Sequence, residues 1–264
     1  MAAPLAALAV FAILCASAAF GFYVHPRLPE RHRSANSIAL VQLVVMLLVN
    51  FTAIVLGLLT TSVKAGFDSA YAARSDDAAQ IVQLDRCLRD YGPETGLIQA
   101  QLRSYVAAVI ASTWPDEPRP TGVTYLDPSQ LPRYGEAPRL SDILNDVGLE
   151  IRSLQPTSLT QKNVIAACDE QFRDALKARW KVIASERGAI SPPFFWVLVF
   201  WLAVLFGSFG LTAPPNTTVS AVIALGALSI SVAVFVILDL DRPYGGLFGI
   251  PSTAMREALA DMMR

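Results

Sequence analysis

Few side chains in this sequence have the chemistry of a catalytic or metal-binding site. The two histidines, His25 and His32, lie among arginines in one short polar stretch, where we expect them in water or at lipid headgroups. The sequence contains no Gly-x-Ser-x-Gly nucleophile motif, no phosphate-binding glycine loop and no His-Glu-x-x-His zinc motif. These observations predict a protein that is not an enzyme and that has no cofactor and no metal site.

Paired carboxylates and cysteines are the other reactive groups in the sequence. Asp76-Asp77 falls in a predicted helix and Asp116-Glu117 falls in a proline-rich loop, so we expect both pairs to be solvated. The three cysteines are Cys15, Cys87 and Cys168. Because their spacing matches no metal motif, we expect each to pack as a small buried hydrophobic side chain.

A stripe of polar and small side chains in the second apolar segment is the most informative pattern. At 100° per helical residue, Gln42, Asn50, Ala53, Gly57, Thr60 and Lys64 fall within an arc of about 80°. Met46 and Val49 fall within or beside this arc, and we call all eight residues the polar stripe. Polar groups at membrane depth usually face protein or a water-filled path. The stripe predicts a helix-packing seam or a pore lining, and both hold if identical helices surround an axis.

A second polar group follows the last apolar segment, at a predicted membrane boundary. It consists of Asp239, Asp241, Arg242 and Pro243. One interpretation is a helix stop with a local ion pair, next to an interfacial tyrosine at Tyr244. The alternative is a structural clamp against the water-exposed helices, or a gating element.

The charges are distributed very unevenly along the 264 residues, and the mean hydropathy is +0.44. Asp, Glu, Lys and Arg are absent from residues 1–26, 34–63 and 188–238. About 20 apolar residues in a helix cross a hydrocarbon core about 30 Å thick. The first two stretches each fit one span, and the third fits two, separated by the helix-breaking residues 213–216. Four transmembrane helices are therefore predicted, at about 4–24, 37–61, 194–213 and 217–238.

This pattern predicts an all-α integral membrane protein with four parts. Residues 1–63 hold the first two spans, 64–190 a helical water-exposed domain, 191–240 the last two spans and 241–264 a C-terminal tail. Since no Lys or Arg precedes the first apolar run, we expect Met1–Phe20 to be a retained span and not a cleaved signal peptide.

Helical periodicity continues through most of residues 64–190. Phe67 to Tyr91 extends the second span, and Gly92-Pro93 ends it. Further helices are predicted at Glu94 to Trp114 and at Leu140 to Leu154, with a proline-rich loop over 115–138 between them. Ser158-Leu159-Thr160-Gln161 fits a capping box that opens a helix to about Arg187. We expect its inward face to comprise Val164, Cys168, Phe172, Ala175, Val182 and Ile183.

The distribution of basic residues predicts the orientation. Four spans place both termini and the central domain on one side. On that side, near the membrane, lie Lys64, Lys177, Arg179, Lys181, Arg187, Arg242 and Arg256, and on the other lie Arg27, Arg31 and Arg33. The larger Lys/Arg count favours the cytoplasm. We therefore expect the inner cell membrane, with the central domain and both termini cytoplasmic.

The order of these segments and two local strings resemble the bacterial bestrophin-like membrane family. The strings are Leu102-Arg103-Ser104-Tyr105-Val106 leading to Thr113-Trp114-Pro115, and Leu238-Asp239-Leu240-Asp241-Arg242-Pro243-Tyr244-Gly245-Gly246. Tyr244 replaces the Phe that is frequent in the family, and Thr113 replaces its usual Glu.

The resemblance implies the architecture of bestrophins, which are pentameric anion channels. Their second helix lines an apolar neck, and their cytoplasmic helices surround a vestibule. The spaced aromatic residues of that neck are absent here, since Phe51 lies away from the stripe.

The stripe and the resemblance together predict a homo-oligomeric channel, with a pentamer favoured, for inorganic anions such as chloride. Met46, Val49 and Ala53 would form an apolar constriction that gates by losing water, and Lys64 would raise the local anion concentration. The alternative is a non-conducting scaffold in the lipid membrane that binds partner proteins, with the stripe as a packing seam. The absence of a basic block argues against a nucleic-acid partner.

Overall fold

The computed structural model of the chain describes residues 3–27, 35–132, 137–186, 188, 190, 192–214 and 216–264. These ranges contain eight α-helices: α1 Ala3–Val24, α2 Ala35–Tyr91, α3 Gly96–Thr113, α4 Pro138–Ser153, α5 Leu159–Ser185, α6 Pro192–Thr212, α7 Thr217–Leu240 and α8 Thr253–Met262. Some residues named in the predictions above lie outside the described residues: Arg31, His32, Arg33, Arg187 and Pro215. Within the described ranges the fold is all-helical, as predicted.

Four of these helices are long and apolar enough to cross a membrane. α1, α6 and α7 contain 22, 21 and 24 residues. α2 contains 57 residues and continues without interruption past Phe67 to Tyr91. At 1.5 Å per residue, α2 is about 86 Å long, far more than one bilayer requires. The predicted fold class, with four transmembrane helices, is confirmed.

The chain divides into two compact units, and the first comprises Met1–Phe67, Gly188–Arg242 and Gly246–Phe248. In this unit α1 packs against both α6 and α7. Its buried core includes Val10, Leu14, Leu59, Leu198, Leu202, Phe206 and Val234. No more than 33% of any spanning window is buried within the chain. The remaining apolar surface of the spanning helices therefore requires lipid or protein to cover it.

Glycines set the close approach of α1 to α6. A Cβ atom at Gly210 would overlap the carbonyl oxygen of Ala18, and a Cβ atom at Gly21 would overlap that of Gly207. The Ser17 hydroxyl donates to the carbonyl of Ala203 across the same contact, at 2.5 Å. Backbones this close are typical of membrane helices that pack through small residues. His25, which we expected in water or at headgroups, donates to the carbonyl of Leu211 at 2.6 Å.

The second unit comprises Asp68–Arg187, Pro243–Gly245 and Gly249–Arg264. Its core includes Leu84, Leu88, Leu102, Ile110, Leu144, Ile151 and Phe172. Gly92 has a φ of +137° and ends α2, as Gly92-Pro93 predicts. The Ser158 hydroxyl accepts from the backbone N–H of Gln161, which confirms the predicted cap of α5. The sequence pattern did not predict α8, which packs against α3.

The cysteines of the second unit correct one expectation from the sequence. Cys87 on α2 and Cys168 on α5 form a disulfide, with their Cα atoms 5.6 Å apart. Our expectation that each packs separately as a small hydrophobic side chain is therefore wrong for this structure. The pairing arises because α2 and α5 lie side by side, which places two residues 81 positions apart in contact. Cys15 in α1 is a free, half-buried thiol.

We predict that Gly210→Ala destabilises the protein, because the added methyl group overlaps the backbone of α1. Overpacking of this kind costs about 1–3 kcal/mol in the free energy of unfolding. Thermal unfolding of the purified protein in detergent measures the effect. Gly226→Ala is the matched control, because Gly226 lies in the spanning helix α7 and a Cβ atom there meets only the Phe206 ring, at an ordinary contact distance of 3.9 Å. Equal unfolding temperatures for the two variants would contradict the close α1–α6 packing.

Candidate functional site

The spanning part of α2 presents three different faces. One face is buried against the core of the first unit, at Thr52, Leu59 and Val63. A second face carries large exposed apolar side chains: Leu43, Leu47, Phe51, Ile54 and Leu58. The polar stripe lies between these two faces, since successive residues turn by about 100° around the helix.

All eight residues of the polar stripe are exposed in the single chain. They are Gln42, Met46, Val49, Asn50, Ala53, Gly57, Thr60 and Lys64. Among the apolar members, Met46 is 67% exposed and Val49 is 40% exposed. The stripe is thus one continuous surface on one helix, and its residues are not core residues of their own chain. Polar groups at membrane depth usually face protein or a water-filled path.

The chemistry of the stripe changes along α2. The Thr60 hydroxyl donates to the carbonyl of Leu56 at 2.7 Å, so the helix itself satisfies this donor. The amides of Gln42 and Asn50 lie toward the start of the helix, and the ammonium group of Lys64 lies further along it. The Lys64 Nζ is 5.8 Å from the centre of the Phe67 ring. The stripe therefore combines neutral polar groups with one positive charge.

The end of α7 is held by carboxylates that accept from backbone N–H groups. Asp239 is buried and accepts from the N–H groups of Leu247 and Phe248, at 2.8 and 2.9 Å. Asp241 accepts from the N–H group of Ile190 at 3.1 Å. These bonds lie within the first unit. The Asp239 bonds fix the turn that follows α7, and the Asp241 bond ties the end of α7 to the segment before α6. A clamp or gating role for Asp239, Asp241, Arg242 and Pro243 stays a prediction.

A buried cluster of charged side chains in the second unit was not anticipated from the sequence. Arg74 on α2 donates to Asp77 at 3.3 Å and lies 3.7 Å from a carboxylate oxygen of Glu186. Its Nε donates to the hydroxyl of Tyr244 at 3.3 Å, and its guanidinium carbon is 5.5 Å from the Trp114 ring centre. Arg74 and Asp77 are almost completely buried. Two carboxylates and two aromatic rings therefore surround one guanidinium group.

A second arginine lies close to this cluster. Arg179 on α5 is buried and donates to the Ser141 hydroxyl at 2.8 Å. Arg74, Arg179, Tyr105 and Glu186 line a common cavity of about 40 Å³. A polar cavity of this size has room for ordered water, which the buried guanidinium groups can bind.

Burial controls the titration of Asp77. It raises the pKa of this carboxyl group to about 6, and the opposing effect of Arg74 and Arg179 is smaller. One carboxylate oxygen of Asp77 has no hydrogen-bond partner among the described residues. Our expectation that Asp76-Asp77 is a solvated pair is therefore wrong for Asp77. Asp76 is half-buried and contacts Lys181 at 3.3 Å.

The two strings that carry the family resemblance meet in the second unit. Trp114 and Tyr244 pack edge to face, with ring centres 5.8 Å apart. The Trp114 indole N–H donates to the carbonyl of Ile250 at 2.7 Å. Glu117 accepts from the Ser252 hydroxyl and contacts Arg256 at 3.1 Å, so it is not simply solvated as expected. These contacts attach the C-terminal segment to the end of α3.

Sequence reasoning could have found the cluster from the position of the charges on α2. The buried residues Ala70, Ala78, Ile81 and Leu84 follow one another at helical spacing. Arg74 and Asp77 fall on this same face, in the middle of the apolar series. A charge pair on an otherwise apolar face is a signal of buried pairing.

Known proteins place the chain in a family. The fold and its apolar helices define an all-helical, multi-pass membrane protein. The Bestrophin-like domain matches residues 6–255, and the chain belongs to the Bestrophin-like family. The sequence matches no curated protein.

Solved structures of bacterial bestrophins share the fold. Two are crystal structures of point variants of a bestrophin homologue from Klebsiella pneumoniae. One is 14% identical, covers 97% of both chains and has a TM-score of 0.67. The other is 13% identical, covers 98% of this chain and 99% of the other, and has a TM-score of 0.65. The family resemblance inferred from the two strings is confirmed.

We predict that Asp77 makes stability depend on pH in an unusual direction. In the folded protein Asp77 holds its proton up to about pH 6, whereas its ordinary pKa is 3.8. The folded state then binds more protons than the unfolded state, so stability falls as pH rises across this window. Asp77→Asn should reduce the change in unfolding temperature between about pH 4.5 and about pH 7.5. Asp76→Asn is the control, and an equal effect of both variants would contradict the assignment.

Proposed function

We propose that the chain forms a homo-oligomeric channel, with a pentamer favoured, that conducts inorganic anions such as chloride. The polar stripe of α2 lines the pathway. The observation that carries this proposal is the exposure of all eight stripe residues on one face of a membrane-spanning helix. Membership of the Bestrophin-like family supports it, because bestrophins are anion channels.

An apolar constriction controls conduction in this proposal. Met46, Val49 and Ala53 lie along one side of the helix, so symmetric copies around an axis would place them in rings. A narrow ring of such side chains conducts only when water enters it. Lys64 lies beyond these rings and raises the concentration of anions at the mouth of the pathway.

The proposed location is the inner cell membrane, with both termini and the helical domain 64–190 in the cytoplasm. The support is the excess of Lys and Arg on that side of the spanning helices. The Cys87–Cys168 disulfide argues against a cytoplasmic domain, because disulfides are rare in reducing compartments. The state of these cysteines in cells therefore tests the orientation.

We predict that the purified oligomer conducts chloride in liposomes and that Ala53→Trp reduces the flux to the level of empty liposomes. The physical reason is that a large ring side chain would close a pathway lined by residue 53. Chloride and potassium fluxes are measured with the same preparation, and the particle symmetry is determined by imaging.

Leu58→Trp is the matched control for Ala53→Trp. Leu58 is 66% exposed on the same helix but lies on its apolar face, away from the stripe. We expect normal flux from Leu58→Trp. Absence of flux from a folded wild-type oligomer would overturn the channel and favour a scaffold. Equal flux from the two variants would contradict the proposal that the polar stripe lines the pathway.

We predict that Cys87 and Cys168 are thiols in growing cells and form the disulfide only after oxidation, because the cytoplasm keeps thiols reduced. Cells are quenched with acid and denatured, and thiols are counted by the gel shift of a maleimide polymer. Cys87→Ser retains Cys15 and Cys168, so it marks the position of the gel band for a chain with two free thiols. A disulfide in freshly quenched cells would place the domain in an oxidising compartment and contradict the proposed orientation.

A further inference from the structure

The turn that follows α7 carries two large apolar side chains at its surface. Leu247 is 76% exposed and Phe248 is 46% exposed. Their backbone N–H groups both donate to one carboxylate oxygen of Asp239, which is itself 2% exposed. The backbone at the tip is thus fixed by a buried carboxylate, while the two side chains are exposed at the surface.

A glycine makes this arrangement possible. Gly246 has a φ of +86°, a conformation that other residues rarely adopt. A Cβ atom at this position would overlap the Asp239 carboxylate. Charge-assisted bonds from backbone N–H groups to a carboxylate are among the strong hydrogen bonds of proteins. The turn therefore has a fixed backbone conformation, with Leu247 and Phe248 exposed at its tip.

The depth of this tip in the membrane follows from the length of α7. Its 24 residues extend about 36 Å, whereas the hydrocarbon core is about 30 Å thick. The end of α7, where Asp239 lies, therefore falls at the boundary between acyl chains and headgroups. The bonds of 2.8 and 2.9 Å hold the backbone of Leu247 and Phe248 at the same depth.

We propose that Leu247 and Phe248 form an interfacial anchor that inserts into the lipid at the end of α7. Exposed leucine and phenylalanine side chains are unfavourable in water and favourable at the acyl–headgroup boundary, where aromatic residues concentrate. The anchor fixes the position of the turn against the bilayer and thereby limits the motion of the end of α7. It requires only that the protein spans a membrane, and it holds whether or not the chain conducts ions.

The test uses Leu247→Trp in liposomes whose acyl chains carry bromine, which quenches tryptophan fluorescence at short range. Leu97→Trp is the matched control, because Leu97 is 79% exposed on α3, outside the spanning helices. The native tryptophans are common to both variants, so the wild-type signal is subtracted. We expect blue-shifted, quenched emission from residue 247 and unquenched, water-like emission from residue 97.

Two results would overturn the anchor. Water-like emission from Leu247→Trp would show that the tip stays in solvent, and blue-shifted emission without quenching would show that a neighbouring protein chain covers it. Phe248→Trp repeats the measurement at the second side chain. Adding Gly246→Ala to Leu247→Trp should reduce the quenching, because the added methyl group displaces the Asp239 carboxylate that holds the tip.

Discussion

Hydrocarbon neither hydrates a charge nor supplies a hydrogen bond to the backbone, and the first unit follows from this constraint. Its spanning segments are uncharged helices whose peptide groups bond within the helix. The hydroxyl groups of Ser208, Thr212 and Ser231 follow the same rule, since each donates to a carbonyl four residues earlier. Close packing through Gly21 and Gly210 holds α1 and α6 together, because the hydrophobic effect does not drive helices together inside lipid.

The second unit differs in burying a cluster of charged side chains, which includes Arg74 and Asp77. Arg74 is acceptable in the interior only because Asp77, Glu186 and Tyr244 surround it. Removal of one partner leaves a buried charge without compensation, so the members of the cluster depend on one another. The cluster joins α2, the end of α5 and the segment after α7.

Several elements could be predicted because their signals are local. Charge-free stretches, the Gly92-Pro93 stop and the Ser158 cap each depend on a few neighbouring residues, and all appear where the sequence places them. Cys87, Cys168 and Asp77 were predicted wrongly for one reason. Their environment depends on residues that are distant in sequence, such as Cys168 for Cys87 and Arg179 for Asp77. Spacing along one helix does not reveal a partner on another.

The sequence by itself determined which segments are helices, which of them can enter a bilayer and which residues share a face of α2. It could do so because hydrophobicity, helical period and helix caps act within a few turns of one chain. Only the tertiary structure decided which face of α2 is buried and which is exposed, and which distant charges and cysteines meet. Those outcomes depend on the packing of one helix against another, which is a property of the whole chain.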